Sequence, residues 1–116
     1  MNSQLNLPFK AIKNHHFFLE LSSRIVDNFW QYHFDNPKVY ELFKKFSIQL
    51  KNTGRKHYGV GAVMERIRWH FAVETVGDAF KINNNYRSCY ARLLAIEQPE
   101  FLDFFETRKN NKHYAP

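Results

Sequence analysis

Apolar and aromatic side chains recur at steps of three and four residues along this 116-residue chain, and this spacing constrains the fold more than any other feature. Steps of three and four return to the same side of an α-helix, so each run predicts a helix with one buried face. The sequence therefore predicts a mainly α, single compact domain of about five helices. We place them at about 14–34, 37–52, 60–72, 86–98 and, for a short last helix, from Pro99.

Capping residues mark the predicted helix boundaries. Asn14 is a candidate N-cap for the first helix, and Asn36-Pro37 suits the start of the second, since proline needs no N–H partner at the first helical position. Gly54 fits the end of the second helix. The asparagine run 83–85 precedes the fourth helix, and one of the three is expected to cap it.

One internal segment and both termini are expected to depart from helix. In residues 73–82, VETVGDAFKI, β-branched and aromatic residues flank Gly77-Asp78, which allows one short β-hairpin. The domain is expected to span residues 1–116, with flexible termini at 1–13 and 109–116.

The charge of the chain is basic and unevenly distributed. Seventeen Lys and Arg against eleven Asp and Glu give +6, and residues 38–56 carry six bases against Glu41 alone. Residues 97–106 reverse the sign with four acids. A basic patch of this kind favours a phosphate-bearing partner, because Lys and Arg displace counterions from nucleic acid. The alternative interpretation is the composition of an AT-rich genome, which favours Lys, Asn, Phe and Tyr.

The predicted fourth helix carries a face of small and basic residues. At 100° per residue, Arg87, Ser88, Ala91, Arg92 and Ala95 fall on one side. Helices that read the major groove need such a surface, with Arg for guanine or phosphate and Asn for adenine. The alternative is a solvated face whose asparagines only cap the helix. A standard helix–turn–helix is disfavoured, because the spacer before this helix is too long. The alternative is a winged or irregular variant, with VETVGDAFKI as an insertion.

The loop TGRKHYG, residues 53–59, lacks the Walker pattern but could hold a phosphate through its bases and backbone N–H groups. Together with the second helix, it predicts phosphate contacts, and the fourth helix is expected to lie nearest the partner. The predicted binding residues are Lys44, Lys45, Lys51, Arg55 and Lys56 for phosphates, and Asn84, Asn85, Arg87 and Arg92 for the closest contacts.

No pattern in the sequence indicates catalysis. The six histidines form no H-x-x-x-H or H-E-x-x-H pair, and no two carboxylates suggest an acid–base pair. Cys89 is the lone cysteine, and its apolar neighbours predict a small core residue and no disulfide. We therefore expect a protein that is not an enzyme and that holds no metal and no cofactor.

The sequence also predicts where the chain acts. No apolar run reaches the ~20 residues that span a bilayer, and no basic start precedes an apolar signal region, so no membrane partner is expected. With a single cysteine, the expected setting is a reducing cytoplasm.

The stretch from Asn36 to Arg108 resembles a family of small uncharacterised proteins of tailed bacteriophages and prophages. The segments that carry the likeness are NPKVYELFKKF, GRKHYGVGAVMERIRWHFAVET, FKINNNYRSCYARLL and PEFLDFFETR, over roughly two-thirds of the chain. The resemblance implies a viral origin and action in the infected bacterial cell. Combined with the charge, it suggests a nucleic-acid-binding accessory or regulatory protein, with DNA favoured over RNA. The alternative is an anti-defence inhibitor, such as an anti-CRISPR, that binds a host defence protein.

Overall fold

The computed structural model describes Ile12, residues 15–74 and residues 82–106. These residues form four α-helices, so the predicted mainly helical architecture is confirmed. The helices are α1 (Ser23–Asp35), α2 (Pro37–Lys51), α3 (Val60–Trp69) and α4 (Tyr86–Glu97).

The predicted fifth helix is wrong, because the chain after α4 forms only a 3-10 turn, Pro99–Phe101. Phe101, Phe104 and Phe105 are buried at a spacing that also suits a helix, but the Tyr58 N–H donates to the Phe104 carbonyl, and this contact with another segment takes the place of a continuing helix. The chain then extends as a two-residue strand, β2 (Phe105–Glu106), that pairs in parallel with β1 (Tyr58–Gly59). The count is therefore four α-helices in the described residues.

The predicted start of the first helix at Asn14 is also wrong. Ser22 caps α1, since its Oγ accepts a hydrogen bond from the Ile25 N–H at 3.1 Å. Before it, a separate 3-10 turn, His16–Phe18, is capped by the His15 side chain. Phe18 anchors this turn in the core with 2% of its surface exposed.

The asparagine boundaries are placed correctly, but the side chains act differently from the prediction. Asn36 does not cap α2; its Nδ2 donates to the Tyr32 carbonyl of α1 at 3.0 Å. Ahead of α4, Asn83 Oδ1 accepts from the Asn85 N–H at 2.9 Å, within the turn that leads into the helix. Asn36 thus bonds back to the end of α1, whereas Asn83 stabilises the turn that leads into α4.

Helix α3 does not continue as an α-helix to Ala72; it passes into a π-helical turn, His70–Glu74. Of the predicted hairpin at 73–82, Val73 and Glu74 lie in this turn, Ile82 lies in a coil segment, and residues 75–81 are outside the described residues. Val73 and Glu74 are helical and not part of a strand, because the ion pairs of Glu74 with Arg66 and His70 stabilise the turn.

Helix α4 lies at the centre of the core and packs against the other three helices. The Tyr90 ring contacts Phe29 of α1 and Phe43 of α2, with ring centroids 4.8 and 5.5 Å apart. Six residues lie at the centres of apolar stripes in the sequence, which predicts that they are buried together. Of these, Phe43, Phe46, Ile67, Tyr90 and Leu93 are buried, whereas Phe71 is only partly buried.

The predicted flexible termini fall outside the described residues, apart from Ile12, which is buried against the core. Among the helices described, none combines the length and the apolar character that crossing a membrane requires.

Candidate nucleic-acid interface

Helix α2 divides the predicted basic cluster between two of its sides. Lys44 and Lys51 are seven residues apart and share one side, whereas Lys45 lies about 100° around the axis from Lys44. Lys44 contacts Glu97 of α4, and Lys51 lies over the rings of Phe101 and Phe104, 5.7 Å from each centroid. The five predicted phosphate contacts therefore do not form one patch.

Lys44 neutralises a buried carboxylate. Glu97 is 8% exposed, and its Oε1 lies 2.7 Å from Lys44 Nζ. The Tyr40 hydroxyl donates to the same oxygen at 2.7 Å. Burial, together with this hydrogen bond, raises the pKa of Tyr40, so the hydroxyl keeps its proton and stays a donor. Lys44 thus stabilises the fold, because a buried Glu97 carboxylate without a partner would lower the free energy of unfolding.

On the other side of α2, a groove of about 330 Å³ lies between α2 and α3. Lys45, Gln49 and Thr53 follow one another at steps of four, so one edge of the groove follows this line. Residues of α3 form the opposite edge. The groove is lined by Phe46, Gln49, Leu50, Thr53, Tyr58, Ala62, Val63 and Arg66.

Cations border the groove and lie over its aromatic rings. Arg66 lies 4.3 Å and Lys45 5.9 Å from the centroid of Phe46, and Arg55 lies 5.3 Å from that of Tyr58. We call Lys45, Arg55, Lys56 and Arg66 the basic rim. Of these, Arg66 pairs with Glu74 at 3.3 Å. Lys45, Arg55 and Lys56 are exposed and make no ion pair with any described residue. Their charges are available to a partner.

The loop that carries Arg55 and Lys56 is fixed at both ends. Gly54 adopts φ 94°, a left-handed conformation that favours glycine at the end of α2. At the other end, the Tyr58 N–H donates to the Phe104 carbonyl at 2.8 Å, and His57 Nδ1 lies 2.9 Å from the Asp103 carbonyl oxygen. The loop thus holds Arg55 over Tyr58 at the groove, and the exposed Lys56 follows it in the chain.

The predicted open face of α4 is wrong at Ala91 and Ala95, which are 6% and 8% exposed. The 3-10 turn His16–Phe18 packs against this helix. A cavity of about 270 Å³ remains where Phe17 and Glu20 approach the two alanines. The small side chains of Ala91 and Ala95 allow the chain's own backbone to pack closely against α4. This packing explains the two alanines without insertion of the helix into a DNA groove.

Arg92 holds the residues before α1 in place. Its Nε donates to the Phe17 carbonyl at 2.7 Å, and its Nη2 lies 3.1 Å from Glu20 Oε1. Its Nη1 also donates to the Ser88 hydroxyl. Only 11% of the side chain is exposed, so the structure places Arg92 among internal contacts and not at an open surface.

The other predicted contacts on α4 lie at its start, beside α3. Asn84 Oδ1 accepts from Arg68 Nη2 at 2.7 Å, and Asn85 is exposed. Arg87 is partly exposed, and its guanidinium lies beside Gly61, where an added Cβ would approach to 3.4 Å. These residues form a second basic region, separate from the groove that α3 shares with α2.

Three groove residues were missed in the sequence: Gln49, Tyr58 and Arg66. Gln49 could have been found from its spacing of four from both Lys45 and Thr53. Arg66 lies on the polar side of the predicted third helix, one turn from Ala62. Tyr58 lies within the predicted phosphate loop, but its place in the groove depends on pairing with a segment 47 residues away at Phe105.

The lone cysteine and the metal-ligating side chains of the described residues are also candidates for chemistry in the sequence. Burial raises the pKa of the Cys89 thiol to about 12, so the sulfur stays protonated and unreactive at neutral pH. Cys89 is fully buried, as the sequence predicted. In the part of the chain that the structure describes, no three His, Cys, Asp or Glu side chains converge as metal ligands do.

Comparison with family models, with curated proteins and with solved structures yields no match to this chain. The resemblance to proteins of tailed bacteriophages stays a prediction.

Proposed function

We propose that this chain is a small, non-enzymatic nucleic-acid-binding accessory or regulatory protein, with DNA favoured over RNA. One observation carries the proposal: Lys45, Arg55 and Lys56 are exposed beside the α2–α3 groove and are unpaired within the described residues. Cations that are not neutralised by the protein's own acids attract phosphates and release the counterions bound there.

The distribution of ion pairs supports this choice of surface. Lys44 pairs with Glu97, Arg68 with Glu65 and Arg92 with Glu20. The basic rim keeps most of its charge, and its bases come from two helices and a fixed loop. Asn85 and Arg87 provide a second, smaller contact region at the start of α4.

The experiment is a titration of labelled random-sequence DNA, followed by fluorescence anisotropy at several salt concentrations. The test variant is Lys45→Gln/Lys56→Gln, and the matched control is Arg24→Gln/Lys38→Gln, which removes the same charge from exposed positions elsewhere. Each lost phosphate contact lowers the salt slope by about one, so we expect a decrease of about two for the test variant. Equal weakening in both variants would show that net charge alone drives binding.

The alternative function, an anti-defence inhibitor such as an anti-CRISPR that binds a host effector protein, is favoured by a different surface. Leu19 and Leu102 are 72% and 55% exposed, and Leu102 borders the cavity beside Arg92. Exposed apolar side chains at a concave site suit a protein partner. The test is capture of a host effector by the parent protein in a complex that persists at high salt. If the parent does not bind DNA and Leu102→Asp abolishes this capture, the inhibitor function replaces the nucleic-acid-binding function.

A further inference from the structure

The α2–α3 groove has the chemical character of a site for a flat heterocycle. Phe46 and Val63 form apolar walls and are 4% and 1% exposed. Gln49 is exposed at the edge, and its amide makes no hydrogen bond to any described residue, so one donor group and one acceptor are free. Apolar walls with a few polar groups at the edge are typical of small-molecule sites.

The size and shape of the groove favour a single base over a duplex. Its volume of about 330 Å³ is near the lower end of the ~300–1,000 Å³ that small-ligand sites occupy. Because the groove is concave, a base has to project from the nucleic acid into it. A base in a duplex reaches such a site only by leaving its stack, whereas a base in a single strand is already free to enter.

One aromatic ring lies within the groove, and another lies further along α3. Tyr58 is partly exposed beneath Arg55. Trp69 is 58% exposed and lies three residues after Arg66, close to one helical turn further along α3. Aromatic side chains beside cations are the usual means of binding single strands, because every base has a face that stacks.

We infer that this groove receives an unpaired nucleobase, with Trp69 as a stacking surface for a neighbouring base and the basic rim along the phosphates. The inference rests on the proposed function and narrows its substrate class to single-stranded nucleic acid. Gln49 then bonds to the edge of the base, while Phe46 and Val63 exclude water from its face.

The test compares three labelled probes of equal length: a single-stranded DNA of mixed sequence, the matching duplex, and a single strand of abasic sites. The abasic probe keeps the phosphates and removes only the bases. The parent protein is expected to bind the base-bearing single strand about tenfold more tightly than either of the other probes. A single-stranded RNA of the same sequence shows whether the unpaired base comes from DNA or from RNA, because the strand that binds more tightly identifies the source.

Two variants locate the effect. Ala62→Phe fills the groove without changing charge, and Ala72→Phe is its matched control, because both alanines are exposed. Ala62→Phe should remove the preference for base-bearing strands and leave abasic binding unchanged, whereas Ala72→Phe should change neither. Trp69→Ala should reduce the preference partly, with Leu19→Ala, at another exposed apolar side chain, as the control.

The outcomes distinguish the inference from the function on which it rests. Equal binding of base-bearing and abasic strands, preference for the duplex, or no effect of Ala62→Phe would each overturn the inference while leaving nucleic-acid binding intact. Binding unaffected by Lys45→Gln/Lys56→Gln would also overturn the inference, because the basic rim would not contact the phosphates. Absence of binding to all probes would overturn the proposed function itself. Thermal melting of each variant establishes that a lost preference is not caused by unfolding.

Discussion

Two adjacent lysines on α2 show how differently the two sides of this helix are used. Lys44 lies against buried Glu97 and Tyr40, so its charge completes an internal network. Lys45 lies at the groove, over Phe46, and makes no ion pair with a described residue. The availability of a basic residue therefore depends on whether its side of the helix faces a buried acid, and a count of charges along the sequence does not reveal it.

The largest expected effect concerns the core that fixes the orientation of both sides. Phe43 is fully buried between Tyr90 and Phe105, so Phe43→Ala should lower the free energy of unfolding by about 3–5 kcal/mol. Denaturant unfolding measures it, with Phe34→Ala, at a 57% exposed position, as the control. An unchanged midpoint of unfolding would mean that α2 is rotated about its axis relative to this structure. The assignment of Lys44 and Lys45 to different sides of the helix would then be wrong.

A second test exchanges each lysine for methionine. Lys44→Met leaves the Glu97 carboxylate without its cation and should cost about 1.5–3 kcal/mol of stability. Lys45→Met should change stability by less than about 0.5 kcal/mol and weaken nucleic-acid binding instead. Denaturant unfolding and anisotropy together separate the two roles. Similar effects of both substitutions on binding would contradict the division of α2 into a structural and an open side.

The same contrast applies to two arginines of α4. Arg92→Met removes the hydrogen bonds to Phe17 and Glu20 and should cost about 1–3 kcal/mol, with faster hydrogen exchange at the amides of residues 16–20. Arg87→Met should leave that exchange unchanged and reduce nucleic-acid affinity. If Arg92→Met reduced nucleic-acid affinity and left stability unchanged, the result would support the direct contact between Arg92 and the partner that the sequence predicted.

Stability is expected to decrease on mild acidification because of His33. Burial lowers the pKa of His33, although nearby Glu97 opposes this shift, and the rings of Phe29, Tyr40 and Tyr90 surround the imidazole. The unfolded chain thus takes up a proton first, and the free energy of unfolding falls as the pH drops through about 6.5. His33→Gln should flatten this dependence in denaturant unfolding at pH 5 to 8, where His15 contributes a residual slope of the same sign. An unaltered slope would assign the pH dependence to other groups.

The smallest expected effect concerns Arg66. Hydrogen bonds from His70 and Arg66 lower the pKa of Glu74, so this carboxylate is charged at neutral pH and partly neutralises the basic rim. Glu74→Gln should strengthen nucleic-acid binding a few-fold, consistent with the modest strength of exposed ion pairs. The gain should disappear when Arg66→Gln is added. A gain that persists in the double variant would come from net charge.

Local signals predicted the helices well and their surroundings poorly. Helix α2 follows from Pro37 and from its apolar spacing, and α4 begins at Tyr86 as predicted, because these signals lie within the segment itself. The sequence also indicates which face of a helix is apolar, but not what covers the other face. Lys44 meets Glu97 across 53 positions and Arg92 meets Phe17 across 75, so neither contact has a signature in its own segment.

The π-helical turn after α3 makes the charge of the groove depend on how the backbone is wound. In an uninterrupted α-helix, residues 66 and 74 would point about 80° apart. The wider turn brings Glu74 back beneath Arg66 and His70. Winding of the same residues as a regular α-helix, with none removed, would swing the carboxylate away and liberate the guanidinium. The backbone winding at residues 70–74 therefore sets the charge of the groove without any change in a charged residue.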